Sequence, residues 1–186
     1  SQLFSRYSTV NQEITTSVSA ELSFEKWASF TSISYSDFGD LRAGENRNHG
    51  FEDWGKVFYF SENVNGNYAA NPTLNSNPNL LRNTGYNQTD FLQKFFVPLS
   101  KDTDLKVNLQ YSTSSDIQRF DRLTELTDLT DVSSLKFAEW YYGPQQRFLL
   151  SSQLDLRPHK NWLESGTITA AFQNIKESRI QRKFGS

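Results

Sequence analysis

The sequence predicts an all-β chain, an antiparallel up-and-down meander of six or seven long strands. Three observations predict it. Apolar and polar residues alternate with period two over runs of about ten residues, the length of a tilted membrane-crossing strand. Phe, Tyr and Trp make up 15% of the chain beside abundant Ser, Thr, Asn and Gln, a composition that favours strands over helices. The connections between the runs go short, long, short, long, short. Outer-membrane barrels carry short turns at one end and long loops at the other.

The first run, 1–7, reads as an outward strand joined by a modest loop near 9–13. In 15–24, Val18, Ala20, Leu22 and Phe24 alternate with Ser17, Ser19, Glu21 and Ser23. Glu25 and Lys26 make a minimal turn. The run 27–38 returns with a mixed phase. Ala28 and Phe30 fall on one face, Ile33 and Tyr35 on the other, and a bulge near Thr31 would reconcile them.

Gly39 opens the first long loop, 39–85, rich in Asn and Gly, with the breakers Asn71-Pro72 and Asn77-Pro78 and a short strand-like run at 56–61. Loops of such length are usually functional or disordered. Strand signals resume at 86–99, turn at 100–103, and continue at 104–112. There Leu105, Val107, Leu109 and Tyr111 alternate with Lys106, Asn108, Gln110 and Ser112. A second polar loop spans 113–136. The run 137–156 follows, interrupted by Gly143-Pro144. A turn lies near 157–164, and the last strand runs from 166 to about 183, with Ile168, Ala170 and Phe172 on one face.

Composition narrows the functional classes. The net charge is −2 with no long basic run, which argues against a nucleic-acid partner. No cysteine is present, so there is no disulfide framework and no cysteine-based metal or redox site. No nucleophile–base arrangement, phosphate loop or metalloprotease helix stands out, so the expectation is a protein that is not an enzyme and holds no cofactor. The absence of Met and of a signal pattern at Ser1 suggests an excerpt of a longer chain. No fixed repeat is visible. The competing reading of the same pattern is a soluble all-β sandwich that binds glycan or protein. An outer-membrane enzyme barrel is a third.

Five stretches carry a resemblance: 32–44, SISYSDFGDLRAG; 83–94, NTGYNQTDFLQK; 109–125, LQYSTSSDIQRFDRLTE; 137–145, FAEWYYGPQ; and 171–185, AFQNIKESRIQRKFG. In this order they resemble the first part of the barrel of TonB-dependent outer-membrane receptors, in the haem and haemoglobin receptor-like branch. The resemblance spans nearly the whole chain. It implies that 1–186 is part of a 22-stranded transmembrane barrel in the cell outer membrane, bounded by lipid. It implies import of a scarce extracellular ligand, such as haem, another iron compound or another nutrient. It also implies contact with the TonB complex through a plug domain that is not recognisable here. The tetrapeptide Asn77-Pro78-Asn79-Leu80 copies a box known from haem receptors but lies too early in the barrel, and reads as a loop turn.

Candidate ligand contacts come from the loops. Trp54, Tyr59, Trp140, Tyr141 and Tyr142 could stack on a flat ligand or grip a protein surface, as aromatics do at hot spots. The plainer reading is an aromatic girdle or packing of loops on one another. Arg119 and Arg122, with Asp121 between them, could meet a carboxylate or phosphate; anchoring of the loop by salt bridges is the plainer reading. His49 has no second His or Cys nearby, so it gives no metal constellation and reads as a solvated loop histidine. His159 falls in a turn. Asp116, Asp121, Glu125, Asp128 and Asp131 match no calcium loop and read as solvated loop charge. One placement test follows: Val18, Leu22, Val107, Leu109, Ile168 and Phe172 belong on one convex face, and Ser19, Glu21, Asn108 and Gln110 on the other.

Overall fold

The computed structural model describes residues 1–128, 130–158 and 160–185, and of 131–133 the backbone alone. His159 and the side chain of Asp131 lie outside what is described.

Strands begin with β1 (Gln2–Ser8), β2 (Glu13–Phe24) and β3 (Trp27–Phe38). The first long loop then carries six two-residue strands: β4 (Leu41–Arg42), β5 (Tyr59–Phe60), β6 (Asn63–Val64), β7 (Asn67–Tyr68), β8 (Thr73–Leu74) and β9 (Leu80–Leu81). Next come β10 (Tyr86–Ser100) and β11 (Thr103–Ser114). The second loop holds β12 (Ile117–Gln118), α1 (Phe120–Leu123), β13 (Leu126–Asp128), β14 (Asp131–Leu135) and β15 (Phe137–Tyr142). The chain finishes with β16 (Gln146–Leu156), β17 (Gly166–Lys176) and β18 (Arg179–Lys183).

Seven strands make one antiparallel sheet in the order β1-β2-β3-β10-β11-β16-β17. Each long strand pairs with its nearest neighbour in the chain, so the sheet is an up-and-down meander. It is open: β1 and β17 are edges. The turns at Glu25-Lys26, at Lys101-Asp102 and across 157–165 all lie at one end. The connection 9–12 and both long loops lie at the other. No described helix is long and apolar enough to cross a membrane, which says nothing of a β-barrel.

Register decides the faces, because directly paired residues point the same way. Val18, Ile33, Phe91, Tyr111 and Phe148 form one row across five strands. The next rows add Leu109, Leu150 and Phe172, then Leu22, Phe95 and Val107, then Leu105, Leu154 and Ile168. All six residues expected on the apolar face are there, and Ser19, Glu21, Asn108 and Gln110 share the other. Among the described residues no second sheet covers the apolar face: Val18 is 53% exposed, and Ile168 and Phe172 are each 60% exposed.

The bulge entertained near Thr31 does not form. Pairing of β2 with β3 runs without a break from Phe24–Trp27 to Ile14–Asp37. Phe30 therefore points to the polar face, and the mixed phase of 27–38 reflects a real change of side. Irregularities lie elsewhere: one within the main sheet between Pro98 and Ser100, and one at Gly143-Pro144. Between the pairs Tyr142–Arg179 and Gln146–Lys176, one strand advances four residues and its partner three. That extra residue is a bulge. The expected runs 137–156 and 166–183 are each divided there, and their outer halves, β15 and β18, join β12 in a separate three-stranded sheet.

The hydrophobic core of the described residues sits in that outer layer. Leu123, Leu135, Phe137 and Ala138 are at most 3% exposed, and all belong to the second loop or its exit strand. The second loop is thus a folded structure with its own apolar packing, and the first buries the polar side chains of Ser61 and Asn75.

Candidate functional site

Three strands and one helical turn build the outer cluster. β12 and β15 pair through Gln118–Tyr141, and the Arg119 N–H donates to the Trp140 carbonyl at 2.9 Å. This places Arg119 beside Trp140 and Tyr142. The Arg119 guanidinium lies 5.9 Å from the centroid of each ring, and Arg122 lies 5.2 Å from that of Trp140. Phe137 meets Trp140 edge-on at 4.5 Å. Four expected residues, Arg119, Arg122, Trp140 and Tyr142, therefore converge.

Their charges are already matched. Arg119 donates from Nε and Nη2 to the two Asp121 oxygens at 2.9 and 2.7 Å, and from Nη1 to the Tyr142 hydroxyl at 3.2 Å. Arg122 donates to Glu125 at 3.1 Å, and Lys136 donates to the other Glu125 oxygen at 2.5 Å. Hydrogen bonding from Arg119 holds the Asp121 carboxyl below its ordinary range, and the same bond raises Arg119. Lys136, then Arg122, lowers Glu125. A bidentate arginine–carboxylate pair uses the donors a ligand would need. The arrangement fits an anchor that pins α1 onto β15 better than an open anion site.

Tyr141 lies on the opposite side of β15, across from Gln118 and Ile180. Burial pushes its hydroxyl up. Trp54 and Tyr59 do not join the cluster. Trp54 is 71% exposed on the first loop, edge-on to His49 at 5.8 Å, and Tyr59 is paired with Leu74. His49 Nδ1 accepts the Phe51 N–H at 3.1 Å. No group of three acidic, His or Cys residues among the described residues could hold a metal ion.

The Asn77-Pro78-Asn79-Leu80 turn is a structural hub. Leu80 N–H donates to the Asn77 carbonyl, and Arg47 donates to the Asn79 side chain at 2.6 Å. The two loops also touch: the Leu135 N–H donates to the Ala70 carbonyl at 2.9 Å. A cavity of about 370 Å³ lies at this junction, lined by Ala70, Thr127, Leu135 and Lys136 among others.

Two further cavities open on the polar face of the main sheet, and sequence reading named none of their residues as a site. The upper, about 400 Å³, includes Gln88, Asp90, Gln110, Ser112, Arg147 and Gln173. The lower, about 470 Å³, includes Glu21, Phe30, Lys94, Phe96, Lys106 and Gln153. These residues are scattered over six strands and meet only through register. Alternation in β2 and β11 gave the side of Glu21 and Gln110, but no local motif marks Asp90 or Arg147. Comparison with family models, curated proteins and solved structures gives no match to this chain.

Proposed function

We propose that the chain forms part of the wall of an outer-membrane TonB-dependent receptor, with two ligand-side loops, in a transmembrane barrel of 22 strands that imports a scarce ligand such as haem or another iron compound. One observation carries the reading. The seven-stranded sheet has an apolar face that nothing among the described residues covers, and a polar face that holds two cavities. Lipid on one side and a wet lumen on the other satisfy both faces at once.

Aromatic placement supports it. Phe24, Trp27 and Phe95 gather at the short-turn end, with ring centroids 4.6 and 6.4 Å apart, and Trp162 stands 82% exposed in another turn at that end. Aromatic side chains concentrate at membrane–water interfaces. Both sheet edges are unpaired among the described residues, which would invite aggregation in water and requires further strands in a barrel. Contact with the energy-coupling TonB complex would pass through a plug inside the barrel.

The test uses the full-length protein in lipid bilayers. A fluorophore on Val18→Cys should be quenched by brominated lipid, whereas Ser19→Cys should react with a water-soluble maleimide. Equal aqueous reactivity at both positions would refute the barrel. A monomeric, cooperatively melting chain in detergent-free water would favour the soluble binding module instead.

A further inference from the structure

Every charge on the polar face of the main sheet is arranged in one of two ways. Near the sheet ends they pair directly: Arg6 with Glu13, Lys106 with Asp155 at 2.8 Å, and Arg157 with Asp104. In the middle they do not. Asp90 and Arg147 are separated by Ser112 in one row, through the pairs Asp90–Ser112 and Ser112–Arg147. Glu21 and Lys94 are separated by Phe30 in a lower row, through Glu21–Phe30 and Phe30–Lys94. Each split pair lies in one of the two cavities.

Neither member of the upper pair has a charged partner among the described residues. Asp90 accepts 3.0 Å hydrogen bonds from the Gln88 amide and meets no cation. The Arg147 side chain makes no hydrogen bond or ion pair among them. One intervening strand sets their backbones about 10 Å apart, since neighbouring strands lie about 4.8 Å apart. The two side chains do not bond to each other across that gap, and the space between them suits a solute with a charge at each end. Gln110, Ser112 and Gln173 supply amide and hydroxyl groups between and below them.

We infer that the polar face binds a small zwitterionic solute in the upper cavity, with Arg147 taking its carboxylate and Asp90 its ammonium group. The Glu21–Lys94 pair is a second position of the same chemistry further from the long loops. This rests on reading the polar face as the ligand path. Arg offers a planar fork matched to a carboxylate, and Asp accepts from an ammonium group without rearranging the sheet.

Triglycine is the probe: three residues at about 3.4 Å each place its ends roughly 10 Å apart. Calorimetry on the full-length protein in nanodiscs should show saturable binding. Arg147→Gln should weaken it about tenfold, the order expected for loss of a charge-assisted contact. Arg147→Lys should recover part of the loss. Asp90→Asn should weaken triglycine, and also its C-terminal amide, which keeps the free amine; Arg147→Gln should not affect that amide. Acetylated, amidated triglycine binding as tightly as triglycine, no effect of either substitution, or no saturable binding would each overturn the assignment. The Ser19→Cys reaction with aqueous maleimide, run beside it, separates the failures. If Ser19→Cys is unreactive, the barrel reading falls; if it reacts and triglycine does not bind, only the binding position falls.

Discussion

Gly85 faces the carbonyl of Phe38 so closely that a side-chain carbon on Gly85 would stand 2.8 Å from that oxygen. The contact closes the neck of the first long loop. Asp40 Oδ1 accepts the Thr84 and Gly85 N–H groups at 2.8 and 3.1 Å, and the Thr84 hydroxyl accepts the Leu41 N–H at 2.8 Å. The obstructing atom is backbone, so it cannot swing away. Gly85→Ala should therefore open the neck, at the roughly 1–3 kcal/mol typical of overpacking. Trypsin should cut the variant faster after Arg47 and Arg82 than the parent. Equal cleavage rates would show that the neck is looser than the geometry says.

Asn75 holds the interior of the same loop. It is 3% exposed, donates to the Val57 and Leu80 carbonyls at 2.8 and 2.9 Å, and accepts the Asn77 N–H at 3.2 Å. Asn75→Ala leaves those groups short of partners, at about 1–3 kcal/mol for each one left buried. Amide exchange at Val57 and Leu80 should speed up while exchange in β10 and β11 stays unchanged. Protection at Val57 and Leu80 equal to the parent's would discount Asn75 as the keystone.

The two faces of β3 should respond oppositely to charge. Ile33 is 52% exposed on the apolar face, and Ser32 is directly paired with Ser19 and Leu92 on the polar one. In a bilayer, Ile33→Arg should cost about 2–4 kcal/mol and Ser32→Arg much less. Denaturant titration of the full-length protein folded into vesicles measures both. Comparable costs at the two positions would contradict a lipid-facing apolar side.

Much of the main sheet was legible because period-two alternation is local. The run at 27–38 matches β3 end to end, and the clean pattern at 104–112 marks β11. The outer layer was less legible. Whether Phe137–Tyr142 continues the main sheet or leaves it depends on a one-residue bulge and on pairing with β18, more than thirty residues away. Alternation within either segment carries no trace of that partner. The loop cluster was partly legible: aromatic and arginine residues at 119–122 and 140–142 were close enough in type and spacing to be grouped. Salt-bridged anchoring of the loop through Arg119, Asp121 and Arg122 was the plainer reading of the sequence, but the part played by Glu125 and Lys136 was not legible, since it depends on side-chain geometry. Asp90 and Arg147 carried no signal at all, because only register across three strands brings them into one row.

Acid should release the second loop before it melts the sheet. Asp121 and Glu125 are held below their ordinary values of 3.8 and 4.5 by hydrogen bonds from Arg119 and Lys136. The folded loop thus binds these protons less readily than the unfolded one. Its anchoring is complete above the ordinary values and is lost as pH falls through the lowered, folded ones. Both carboxylates are partly exposed, so salt and solvent keep the effect modest. The readout is amide exchange at Arg119 and Lys136, whose N–H groups donate to the Trp140 and Glu125 carbonyls at 2.9 Å each. Protection there should decline on acidification while β11 remains protected. The double variant Asp121→Asn, Glu125→Gln should exchange faster at neutral pH and lose most of the acid dependence. If the variant keeps the parent's pH profile, some other group controls the loop.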